Sequence, residues 1–176
     1  MVAIVVILAA TISVLVLDFT EDLNDPAPNV ADTTGEFEVG AGSNEQVVRI
    51  THVAGESIAI EEIEIITRAS GPGANLPTEA RLVNLPSIES SRLLNENIEG
   101  NDDLIDKSSG SAELIVDDGA DVWSSGRTIE FRVRVGGADF RNSVPSYNTV
   151  NEANELEVVI VHTPSNSILS EQTFTP

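Results

Sequence analysis

Cysteine is absent from the 176 residues. That excludes disulfides, thiol catalysis and cysteine-ligated zinc or iron–sulfur centres. Lysine is almost absent: Lys107 and eight arginines stand against 29 carboxylates, for a formal charge of −20. Phosphate binding needs clustered positive charge, and here the basic residues are scattered singly, so no nucleic-acid partner is expected. His52, His162, Met1, Trp123 and Tyr147 are the only residues of their types, which leaves little with which to catalyse or to hold a cofactor. Neither a G-x-S-x-G elbow nor a G-x-x-x-x-G-K-[ST] phosphate loop occurs. An N-x-[ST] glycosylation sequon is missing as well. The expected role is therefore structural or binding, with no enzyme activity, cofactor or bound metal.

What the chain does have is an uncharged start. Met1 to Leu17 reads MVAIVVILAATISVLVL, with Thr11 and Ser13 its only hydroxyls. As a helix this run would cover roughly 26 Å, near the lower limit for a bilayer core of about 30 Å. Its many β-branched residues favour a strand. A run this long, however, exceeds ordinary strands, and an isolated strand in lipid leaves its backbone unpaired, so a helix is predicted. Ala9 and Ser13 stand four apart on one face, and Ala3 and Ala10 seven apart on a neighbouring stripe, where small residues let helices approach closely. No basic residue precedes the run and the first anywhere is Arg49, so the chain starts without a secretory n-region and reads as incomplete or already processed.

Character changes at Asp18–Phe19–Thr20–Glu21–Asp22, and Pro26 and Pro28 then make a short stiffened linker. The expected division is an assembly or transmembrane helix over 1–23, a linker over 24–30 and an outer domain over 31–176. All 29 carboxylates lie beyond Leu17. Such self-repulsion weakens a compact state in dilute buffer and keeps it soluble when salt screens the charge, which points to a halophilic habitat.

Beyond residue 31, short alternating runs are separated by turn chemistry, as in an all-β, immunoglobulin-like sandwich. The whole chain is thus expected to be α+β, a long N-terminal hydrophobic α-helix followed by that sandwich. The expected runs are 35–39, 46–53, 57–68, 79–85, 112–116, 128–135, 155–163 and 168–174. Ile129, Phe131, Val133 and Val135 point one way and Thr128, Glu130, Arg132 and Arg134 the other. In the run over 155–163, Val159 and Val161 lie opposite Leu156, Val158 and Ile160, which predicts a strand covered on both sides. The acidic stretch from Pro86 to Gly110 is a long connection, with Leu93, Leu94 and Ile98 as anchors for one helical turn. The acidic turns at 101–106 and 117–121 are expected to be solvated rather than calcium loops, and the two strand-end histidines to be hydrogen-bonded rather than half of a metal site.

Two elements look specific in combination: T-H-x-x-G-x-x-I (Thr51, His52, Gly55, Ile58) followed by acidic alternation, and V-H-T-P-S from Val161 to Ser165. With the run over 1–19 they define three stretches, 1–19, 49–66 and 158–174, that cover about a third of the chain. In that order they resemble the archaeal type IV pilins, especially those of halophilic archaea. The resemblance implies a precursor with a basic leader, cut by a prepilin peptidase, whose apolar helix waits in the cell membrane. Pilus assembly machinery then packs such helices into the core of an extracellular filament. The sequence begins inside what would be the apolar run, so the leader site has no counterpart here. Helix packing in that core is assigned to Val2, Ala3, Val6, Ile7, Ala9, Ala10, Ser13, Val14 and Leu17. Repeated heterologous contacts that do not close generate such a filament from a single chain. The expected function is surface attachment and cell–cell contact. The alternatives are a membrane-anchored monomeric β-sandwich binding module and a motility filament subunit of the archaellin kind.

Overall fold

Period-two alternation governs the chain from Val30 onward, and strands result. The computed structural model describes residues 26–42, 45–85, 93–107, 115–116, 121–141 and 150–176. These form β1 (Val30–Val39), β2 (Gln46–Gly55), β3 (Ile58–Ala59), β4 (Ile63–Ser70), β5 (Thr78–Leu82) and β6 (Ile98–Gly100). They continue with β7 (Ile115–Val116), β8 (Val122–Trp123), β9 (Thr128–Val133), β10 (Glu155–His162) and β11 (Ser167–Phe174). Single 3-10 turns at Ile60–Glu62 and Asn95–Asn97 are the only helical elements among the described residues.

Strand order is β1-β2-β9-β7 in one sheet and β11-β10-β4-β5-β6 in the other, with β3-β8 as a small ribbon. In the lettering of immunoglobulin domains the first order is A-B-E-D and the second is G-F-C-C′-C″, the variable-type arrangement. No disulfide joins the sheets. Instead Ile50, Ile129, Phe131 and Val133 from one meet Ile65, Leu82, Leu156, Val158 and Ile160 from the other in one fully buried core. Each such side chain contributes about 1.5–3 kcal/mol by leaving water. The buried tryptophan, Trp123, lies on β8 rather than on the C-equivalent β4.

The α+β reading is corrected here. The described residues contain no α-helix, and none of them forms a helix long and apolar enough to cross a membrane. The physical reason is the pattern itself: β9 alternates half-buried and buried residues throughout, and β4 does so over most of its length, with no 3.6-residue period long enough to bury one helix face. A membrane helix and a helix-packed polymer are therefore not carried forward. The helix expected over 1–23, and with it the packing residues from Val2 to Leu17, falls outside the described residues.

Register defines two poles. Val30 pairs with Gly55, Thr51 with Thr128 and His162 with Ile63, so the linker, residues 56–62, residues 121–127 and the turn 163–166 share one pole. Residues 40–42, 71–77, 134–141 and 150–154 occupy the other. At that far pole the buried Gln46 donates to the carbonyls of Val133 (3.2 Å) and Ala138 (2.8 Å) and accepts from the Phe140 N–H (2.8 Å). Gly73 has no room for a side chain, since a Cβ would stand 2.6 Å from the Glu152 nitrogen.

Candidate functional site

The linker leaves the domain from a fixed seat. Asn29 N–H donates to the Glu56 carboxylate at 2.7 Å, Glu56 N–H donates back to the Asn29 carbonyl at 3.0 Å, and Val30 N–H reaches the Pro28 carbonyl at 3.1 Å. Two prolines and three hydrogen bonds, one of them to the Glu56 carboxylate, thus fix the described end of the linker against the domain. Beside them opens a shallow cleft of about 450 Å³, lined by Pro26, Pro28, Glu56, Ser57, Ile58, Glu62, His162 and Pro164.

His162 closes β10 and is buried. Its Nδ1 shares a 2.7 Å hydrogen bond with Ser165 Oγ, and its Nε2 stands 3.7 Å from Glu62 Oε2. Thr163 N–H holds the Glu62 carbonyl at 2.8 Å, which joins the turn before β11 to the 3-10 turn before β4. His52 engages different groups on the other sheet: its ring lies 5.0 Å from that of Trp123, and both ring nitrogens are buried without a hydrogen-bond partner. The hydrogen bond expected of a strand-end histidine is present at His162 and absent at His52. Among the described residues, no group of three or more histidines and carboxylates is arranged to hold a metal.

The acidic turn at 101–106 is tied into the fold. Asp102 accepts from Lys107 at 2.7 Å, which holds its carboxyl below the ordinary range, and Asp103 accepts from Arg134 at 3.1 Å. Asp106 is buried. The turn 117–120 lies outside the described residues.

Three arginines organise the outer sheet faces. Arg49 bridges Glu38 (3.0 Å) and Glu130 (2.8 Å), Arg68 bridges Glu79 (2.6 Å) and Glu157 (2.9 Å), and Arg81 pairs with Glu64. The hydrogen bonds they donate to the paired glutamates raise the Arg49 and Arg68 guanidiniums above their ordinary values. Each cation therefore sits between two neighbouring strands rather than in a patch that could recruit an anion.

None of the residues assigned to filament packing lies within the described residues. What the sequence did not single out is the pairing of Glu56 with Asn29 and of Glu62 with His162, in segments that only the strand register brings together. The nearest signal was the T-H-x-x-G-x-x-I and V-H-T-P-S pair, which contributes Ile58, His162 and Pro164 to the cleft. No model of a known protein family matches the chain, and no curated protein matches it.

Proposed function

We propose that the chain is the structural subunit of an extracellular adhesion filament of the archaeal type IV pilus kind, held in the cell membrane before assembly and polymerised with copies of itself. The supporting observation is a juxtaposition: 17 uncharged residues are followed by a linker that is hydrogen-bonded to one pole of an acidic β-sandwich. A run of that composition needs lipid or other apolar surface around it, and a fixed exit gives every copy the same direction of attachment. Repetition of one such contact builds an open assembly. At −20 per copy the outer domains repel in dilute buffer, so molar salt favours assembly. The prepilin peptidase and assembly machinery follow from the resemblance alone.

Ala10→Asp tests the reading. A charge inside the run should abolish filaments while the β-domain keeps its thermal unfolding transition; normal filaments from this variant count against the run as the assembly element. A deletion strain that loses adhesion and keeps swimming separates the adhesive function from the motility one. The cleft of about 450 Å³ favours one second reading, a membrane-anchored binding module. A monodisperse membrane-bound monomer in native extracts would select it.

A further inference from the structure

The cleft beside the linker differs from the sheet faces in how its charges are matched. On those faces an arginine stands between glutamates: Arg49 serves Glu38 and Glu130, and Arg68 serves Glu79 and Glu157. The cleft is lined by two carboxylates, Glu56 and Glu62, and among the described residues by no arginine or lysine. Glu56 Oε2 accepts from Asn29 N–H at 2.7 Å, which leaves its other oxygen open to a donor. His162 is the buried polar member of the lining, its side chain only 6 % exposed. Ser165 Oγ occupies its Nδ1, while its Nε2 stands 3.7 Å from Glu62 Oε2, beyond hydrogen-bond distance. Ile58 and the three prolines supply apolar walls around these groups.

We propose that the cleft binds a primary alkylammonium group, with its N–H donors on Glu62 and His162 Nε2 and its aliphatic stem against the prolines. The inference goes beyond the filament reading and does not rest on it. An ammonium carries three donors and no acceptor, which suits a site whose polar groups are two carboxylates and an imidazole nitrogen. With Nδ1–H donated to Ser165, Nε2 is an acceptor that faces the Glu62 acceptor, and a cation between the two relieves that opposition. Two carboxylates without a basic neighbour in the lining attract it, and about 450 Å³ falls within the roughly 300–1,000 Å³ of ligand sites. A metal ion fits less well, since among the described residues no three histidines or carboxylates are arranged to hold one. A lysine of a second copy is not the source: Lys107, the only one, is held by Asn95 at 2.8 Å and Asp102 at 2.7 Å.

The test is a titration of the full-length, ¹⁵N-labelled chain in mild detergent with n-butylammonium chloride, ionic strength being held constant with sodium chloride. The imidazole nitrogens are followed by NMR at about pH 8, where an ordinary imidazole is neutral and an alkylammonium charged. His162→Gln assigns the two histidines. A saturable shift of His162 Nε2, with His52 unmoved, is the expected result. Tetramethylammonium, which has no N–H donor, and n-butanol, which has no charge, should leave the resonance where it is. Glu62→Gln should weaken binding about tenfold or more with the thermal unfolding transition retained, and Glu56→Gln, at an exposed position, provides a second variant with a loss in the same direction. N-acetyl-lysine amide distinguishes the sources of the cation: tighter binding than n-butylammonium supports a lysine side chain of a protein partner, and weaker binding supports a free amine. No saturable shift, an equal response to tetramethylammonium, or unchanged affinity in both glutamine variants overturns the proposal and leaves the filament reading as it stands.

Discussion

Gln46 is fully buried at the start of β2 and satisfies three backbone groups, of which those of Ala138 and Phe140 lie outside the strands. Truncation to alanine leaves the Ala138 carbonyl and the Phe140 N–H without their 2.8 Å partners. The longer bond to the Val133 carbonyl is the weaker loss, because Val133 lies in register with Gln46 in the sheet. Two orphaned buried groups cost about 1–3 kcal/mol each, so the expected destabilisation is about 4 kcal/mol. That is a large share of the about 5–15 kcal/mol available to a domain of this size. Trp123, the only tryptophan, is buried at the opposite pole, so its fluorescence reports whether the loss is felt across the molecule. With a urea dependence of about 2 kcal/mol per molar, the midpoint in molar salt should fall by about 2 M. Gln46→Glu keeps the shape but sets a carboxylate oxygen against carbonyls, and at neutral pH it should cost at least as much. If both variants move the Trp123 midpoint by less than about 0.5 M, the far-pole network is not what holds that end together.

Three further outcomes are expected. Arg141 donates two hydrogen bonds at 2.8 Å to Asp139, and with burial opposing only in part they hold its carboxyl below the ordinary value of 3.8. A depressed carboxyl contributes stability that is complete above pH 3.8 and is lost as the pH falls toward its folded value, so Asp139→Asn should flatten the acid limb of a urea-midpoint profile below about pH 4. Arg68→Gln leaves Glu79 and Glu157 facing one another. Since the arginine is about half exposed, the loss should be only about 1 kcal/mol in dilute buffer and should vanish in molar salt, and thermal unfolding at two ionic strengths checks this. His52→Leu removes two buried nitrogens that have no partner and should raise stability by about 1 kcal/mol in urea titrations; a loss of that size would mean that the imidazole is needed where it stands.

Much of the sandwich was legible because period two is a strong signal where both faces carry distinct side chains. β9 shows it cleanly, whereas the doubly covered strand expected at β10 is met only in part: opposite Leu156 and Val158, Val159 is buried but Val161 is half-buried. β1 starts at Val30 rather than at residue 35, since its inward positions there are Thr33 and Gly35, which carry no apolar mark. Gly35 faces Phe174 and Gln172, whose side chains already occupy the space of a Cβ. The run read as one strand over 57–68 breaks at the 3-10 turn Ile60–Glu62. The spacing Ile58, Ile60, Ile63, Ile65 changes parity in the middle, and the turn keeps all four inward while the chain passes between sheets.

The stretch from residue 86 to 110 was read as a long connection with one helical turn. Its described part holds such a turn, the 3-10 turn Asn95–Asn97, with Leu93 and Ile98 buried beside it and Leu94 exposed, and adds the short strand β6. β6 and β8 are too short to show a period, so register with β5 and β3 makes them rather than their own sequence. The linker seat was out of reach of the sequence because its parts meet only through that register.

Imaging of material sheared from cells in molar salt, with mass spectrometry of the purified filaments, tests the central claim most directly. The account predicts thin filaments composed mainly of this chain, with Met1–Leu17 peptides retained in them. Filaments that lack the chain, while it remains in the membrane fraction, would contradict it.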